Sequence, residues 1–203
     1  MIRTAKKLAV AAAAATALAG LAATTALAAG DSDDNISPAS TSFTASNSGS
    51  VTFSVSILGT NVIVTCTSSS ISAKTPASGL TLTLPSPPTF SGCTDNHGGT
   101  ETVTTSGTWK LVFVDAANDE SQAEPNSGDS LSLSIPAGGA KVTSSLLPSC
   151  PVTNSATTVT AAYNDTNTAT FTNQKIPGSA CGISATANFS GTYKTSINVS
   201  DGS

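Results

Sequence analysis

Ser130 stands in the tetrapeptide Gly128-Asp129-Ser130-Leu131, where a turn could present a hydroxyl for nucleophilic attack. Such a serine needs a general base within hydrogen-bond reach, usually a histidine held by a carboxylate. The chain has one histidine, His97, and it lies upstream, in Cys93-Thr94-Asp95-Asn96-His97-Gly98-Gly99-Thr100-Glu101. Asp95, His97 and Glu101 could instead form an acid–base pair or bind a metal. Zinc, however, normally takes three or four protein ligands, and no second histidine exists. Asn-His-Gly-Gly is also ordinary turn chemistry, because glycine accepts positive φ. Asp115, Asp119, Glu120, Glu124 and Asp129 offer hard oxygens suited to Ca²⁺, but they lack the alternate ligand spacing and central glycine of an EF-hand loop. Turns and solvated loops account for all three groups, and no catalytic residue, metal or cofactor is expected.

Aromatic residues supply the remaining chemistry. Trp109, Tyr163 and Tyr193 could stack on a sugar ring. Trp109 shares its strand face with Leu111 and Phe113, and Tyr193 is in register with Phe189 and Ile197, so both read as core. Tyr163 is left as the single candidate for a stacking platform.

The elements that position these residues alternate with period two. Val51-Phe53-Val55-Ile57 puts four apolar residues on one face, with Thr52, Ser54 and Ser56 on the other. Asn61 to Cys66 is more continuously apolar. Leu80-Leu82-Leu84, Trp109-Leu111-Phe113 and Leu131-Leu133-Ile135 repeat the alternation between Gly, Pro and Asn punctuation. Val159 to Tyr163, Ala169 to Thr172, Ile183 to Phe189 and Gly191 to Ile197 complete the set. The pattern predicts an all-β fold, an Ig-like or jelly-roll β-sandwich of about ten strands.

Four cysteines divide that fold. Cys66 and Cys93 precede Ser106-Gly107-Thr108-Trp109-Lys110, and Cys150 and Cys181 precede Ser190-Gly191-Thr192-Tyr193-Lys194. The parallel suggests an internal duplication, near 50–115 and 130–200. Four cysteines allow three connectivities, and the duplication favours Cys66–Cys93 with Cys150–Cys181.

Residues 1–28 have the form of a cleaved signal peptide. Arg3, Lys6 and Lys7 precede an Ala/Leu/Val stretch, and Ala26-Leu27-Ala28 is a small-x-small cleavage site. Residues 29–47 read as a flexible lead-in and 48–200 as one β-sandwich domain. Three of the eight basic residues lie in the leader, leaving five lysines against twelve acids, a net charge of −7 after cleavage. That balance disfavours nucleic acid or anionic lipid as partner. Charged residues make up 10% of the chain, against about 25% in ordinary soluble domains. Ser and Thr replace them, at about a third of all residues. A hydroxyl-rich coat with oxidisable cysteines suits an extracellular setting, and after the leader no run is long and apolar enough to span a membrane.

Two segments carry a resemblance. These are Ile36-Ser37-Pro38-Ala39-Ser40-Thr41-Ser42-Phe43, and Ala161 to Asn173 with Pro177-Gly178 and Cys181-Gly182-Ile183. Together they resemble small exported bacterial β proteins, among them the protein activators of alkane oxidation. The resemblance implies a non-catalytic secreted or surface protein acting at hydrophobic interfaces, and it carries no catalytic residues. The leading expectation is therefore a secreted structural or interaction protein of the extracellular matrix or cell surface. The alternative is an extracellular binding module for a polysaccharide or a small apolar ligand.

Overall fold

The computed structural model describes residues 35–57, 59–114, 129–146, 149–164 and 166–200. Residues 1–34 and the acidic stretch 115–128 lie outside them, so the signal-peptide reading and all but Asp129 of the candidate calcium ligands fall on residues that are not described. Every regular element among the described residues is a strand. They are β1 (Asn35–Ser37), β2 (Ser42–Asn47), β3 (Val51–Ile57), β4 (Thr60–Lys74), β5 (Thr81–Thr83), β6 (Thr89–Asp95), β7 (Thr100–Thr105) and β8 (Lys110–Val114). There follow β9 (Ser130–Ile135), β10 (Ala140–Ser144), β11 (Val152–Asn154), β12 (Thr157–Asn164), β13 (Thr168–Ala180), β14 (Ile183–Lys194) and β15 (Asn198–Ser200). Val, Ile and Thr suit a pleated, half-buried surface, and glycines at positive φ, such as Gly59 and Gly98, turn the chain between strands.

The predicted all-β class holds, but the sandwich is corrected to a barrel. Strands β3, β4, β6, β7, β10, β11 and β13 pair antiparallel in that order, β13 pairs with β14, and β14 returns to β3. Eight strands therefore close on themselves. Period-two alternation is the same in a sandwich and in a barrel, because both bury one face of every strand. Closure depends on β11, a strand of three residues joining β10 to β13, which is too short to show periodicity.

Strands β4, β13 and β14 are 15, 13 and 12 residues long and run past the barrel. Beyond it β4 and β14 meet β2, and the sheet continues from β13 through β12, β9, β8 and β5. This second half is filled. Trp109, Leu111, Phe113, Leu131, Leu133, Ile135, Phe171 and Tyr193 are all buried in one cluster. Two buried polar pairs lie there: Tyr193 Oη and Ser69 Oγ are 2.8 Å apart, and Trp109 Nε1 donates to Ser106 O at 2.8 Å.

Further expectations are corrected. Residues 35–47, expected to be flexible, contribute β1 and β2, with Ile36, Phe43 and Ala45 buried against the main core. Both halves of the chain supply strands to one closed barrel. The two Ser-Gly-Thr-aromatic-Lys segments also differ in setting. Ser106 to Trp109 connects β7 to β8, whereas Ser190 to Lys194 lies inside β14. The disulfide pairing stands, as Cys66–Cys93 and Cys150–Cys181. The first joins directly opposed residues of β4 and β6, and the second ties the segment before β11 to the β13–β14 turn.

Candidate ligand-binding site in the barrel

The inward positions of the barrel strands carry small or medium side chains, and the space they enclose is not filled. An eight-strand barrel is wide enough either to be packed by side chains or to hold one small ligand, and side-chain size decides which. Here β3 presents Val55 and Ile57, β4 presents Val62 and Val64, and β7 and β10 present Val103 and Val142. The far wall is smaller still, with Gly178 on β13 and Ala185 and Ala187 on β14. The cavity measures about 480 Å³, within the range of roughly 300–1,000 Å³ typical of small-molecule sites.

One end is closed and the other carries the turns. Phe53 and Ile176 form the floor, with Phe189 packed behind Phe53 at a ring-centroid distance of 5.2 Å. Phe171 lies 5.3 Å beyond Phe189, so stacked rings join the floor to the filled half. At the opposite end sit the connections β3–β4, β6–β7, β10–β11 and β13–β14. Leu146 and Ile183, both 55% exposed, lie at this end and give the mouth an apolar rim.

Outer positions of the same strands are hydroxyl-bearing or charged, as at Ser56, Thr102, Thr104, Lys141 and Thr186, all exposed. An apolar inside with a polar outside is the reverse of a lipid-spanning barrel. No helix among the described residues is long and apolar enough to cross a membrane. The two disulfides fit an oxidising environment.

Glycine is required at one point of the wall. A Cβ on Gly178 would come within 2.0 Å of Thr153 O and 2.9 Å of Asn154 Cα, so only glycine lets β13 approach β11 there. Asn154 secures the same seam, accepting from Ala140 N at 2.7 Å and donating to Pro136 O at 2.8 Å.

The polar part of the cavity comes from the β6–β7 turn. Asp95 Oδ1 accepts from His97 N at 2.8 Å and from Gly99 N at 2.7 Å. Desolvation opposes the charge on Asp95, but these two backbone donors and Glu101 outweigh it and hold the carboxyl below its ordinary range. Glu101 is buried on the cavity wall, and burial pushes its carboxyl upward. A hydrogen bond from Ser144 counters that shift, and the adjoining Asp95 adds to it. Oε1 of Glu101 has no hydrogen-bond partner.

The sequence-singled residues thus separate. Asp95 and Glu101 come into contact on the cavity wall, while His97 stays exposed at the mouth, its Nε2 3.3 Å from Asn61 O. No group of three or more metal-ligating side chains forms among the described residues. Ser130 starts β9 in the filled half, far along the fold from the β6–β7 turn that carries His97. Tyr163, the remaining candidate for a stacking platform, lies in the core: it is 1% exposed, and its hydroxyl donates to Ile197 O. Trp109 and Tyr193 are core as predicted. Sequence reasoning missed the cavity itself. The available signal was the run of Val, Ala and Gly at inward positions, where the filled half has Trp, Phe and Leu.

No family model, curated protein or solved structure matches the chain.

Proposed function

We propose that this chain is an exported binding module that takes one small apolar ligand into its barrel. The observation that carries the reading is the 480 Å³ interior, lined by aliphatic side chains and bounded by an aromatic floor. Leaving such a surface in contact with water is unfavourable, and an apolar guest removes it from water without any rearrangement of the wall. The apolar rim of Leu146 and Ile183 suits a ligand that arrives from a hydrophobic phase, in keeping with the resemblance to exported proteins acting at such interfaces. The polysaccharide alternative has lost its aromatic platform, because Trp109, Tyr163 and Tyr193 are all buried. A purely structural role would explain the hydroxyl coat but gives no use to the hollow interior. The leader-like residues 1–28 and the disulfides support export.

The neutral fluorophore N-phenyl-1-naphthylamine brightens in apolar surroundings and tests this reading. Saturable brightening at one probe per chain is expected, and Ala187→Phe, which adds a ring to the cavity wall, should abolish it while the protein stays folded. Absence of binding, or binding unchanged by Ala187→Phe, would return the protein to a structural role.

A further inference from the structure

An aliphatic cavity has no need of a carboxyl group, yet this one holds Glu101 on its wall at 6% exposure with Oε1 unpartnered. We propose that the barrel selects apolar ligands ending in a hydrogen-bond donor, a hydroxyl or an ammonium, and that Glu101 Oε1 is the acceptor that reads this end. The inference rests on the ligand-binding reading above and deepens it.

Three observations support it. First, a buried polar atom without a partner is costly, and the rest of the nearby network is already committed. Asp95 Oδ1 takes the amides of His97 and Gly99, and Glu101 hydrogen-bonds Ser144 and Asp95, leaving Oε1 as the free acceptor. Second, burial pushes the Glu101 carboxyl upward and the adjoining Asp95 adds to this, whereas the amides of Gly99 and His97 hold Asp95 below its ordinary range. The bonds to Ser144 and Asp95 fall on the other carboxyl oxygen, which leaves Oε1 as an acceptor. Third, among the described residues the ionisable side chains lining the cavity are Asp95, His97 and Glu101, with no Lys or Arg. A carboxylate end would face two carboxyl groups; a donor end would meet an acceptor.

The site is also built locally. A Cβ on Gly99 would meet Asp95 Oδ2 at 2.5 Å, so glycine is what allows the Asp95 carboxyl to fold back over the turn. Water alone could satisfy Oε1, and then no selection would follow. A ligand series separates the two cases.

The test is competition against N-phenyl-1-naphthylamine by octan-1-ol, octylammonium, octanoate and octane, using the whole chain without its leader. The alcohol and the amine should displace the probe at about tenfold lower concentration than octanoate, the effect of one net hydrogen bond plus a repulsion avoided. Glu101→Leu should still bind the probe but lose that preference, whereas Glu101→Gln should keep the alcohol preference, because its amide oxygen can replace Oε1. Octanoate competing as well as octan-1-ol overturns the proposal. So does a preference that persists in Glu101→Leu. Displacement by the amine but not the alcohol also overturns it, in favour of simple charge attraction. If the probe binds and all four compounds compete equally, only the selectivity fails; if neither the probe nor any octyl compound binds, the ligand reading fails with it.

Discussion

The hollow barrel and the filled half are built from the same three long strands, β4, β13 and β14, and differ in the size of what points inward. Along β14, Tyr193 and Phe189 are packed, and then Ala187 and Ala185 face open space. Along β13, Phe171 is core, Ile176 is floor, and Gly178 is wall. The stacked rings of Phe53, Phe189 and Phe171 mark the boundary between the two. Continuous strands let the filled half anchor the hollow one, so a cavity can persist without the walls collapsing onto it.

Truncations should therefore cost very different amounts in the two halves. Phe171→Ala removes a ring at 2% exposure and should lower unfolding free energy by about 3–5 kcal/mol. Val142→Ala, on the half-buried barrel wall, should cost only about 1 kcal/mol. Denaturant unfolding of both variants checks the contrast, and equal losses would contradict a hollow barrel.

The mouth staple comes next in size. Replacing Cys150 and Cys181 by alanine opens a loop with a sequence separation of 31 and should cost about 3.7 kcal/mol by the chain-entropy estimate. Hydrogen exchange should rise at β11 and the β13–β14 turn while the near-ultraviolet dichroism of Trp109 stays native. Loss of the Trp109 signal would mean that the halves do not differ in this respect. A smaller effect is expected from Gly178→Ala, about 1–3 kcal/mol, because the added methyl collides with the backbone of β11. A melting scan would show it.

The smallest effects concern pH, and the two halves should respond in different ranges. Glu101 has a raised carboxyl pKa in the fold, so the stability it contributes is present below the ordinary glutamate range and is lost as pH rises through the raised value. Asp95 is shifted the other way and loses its contribution as pH falls. In the filled half, burial pushes the Tyr193 phenol up to about 12, so stability there should fall only as pH climbs above about 10. Melting temperature against pH should flatten on the acid side in Glu101→Gln and on the alkaline side in Tyr193→Phe. Interchanged effects would refute the assignments.

Much of the fold was legible because alternation reports which face of a strand is apolar. Val51-Phe53-Val55-Ile57 does present a single face, yet Val51 lies in the filled core, Phe53 in the floor, and Val55 and Ile57 on the cavity wall. Alternation says nothing about whether the space opposite is occupied. Gly191 lies inside β14, where a Cβ would press on Val51 at 3.2 Å. Gly178 lies inside β13, where glycine allows close approach to β11. Glycine marks proximity in both places, and the neighbouring strand is distant in sequence. Cysteine spacing alone left three connectivities open, and it was the apparent duplication that favoured the observed pairing. Of the candidate site, Asp95, His97 and Glu101 were visible as a turn cluster, but the wall opposite them comes from β10, β11, β13 and β14, which only the fold brings near.

The most direct test of a receptive barrel is a crystal structure of the chain grown with 8-bromooctan-1-ol, with bromine located by its anomalous signal. The account predicts one bromine inside the barrel near Phe53 and Ile176, with the hydroxyl within hydrogen-bond distance of Glu101 Oε1. Bromine found only on the outer surface, or none at saturating ligand, would contradict it.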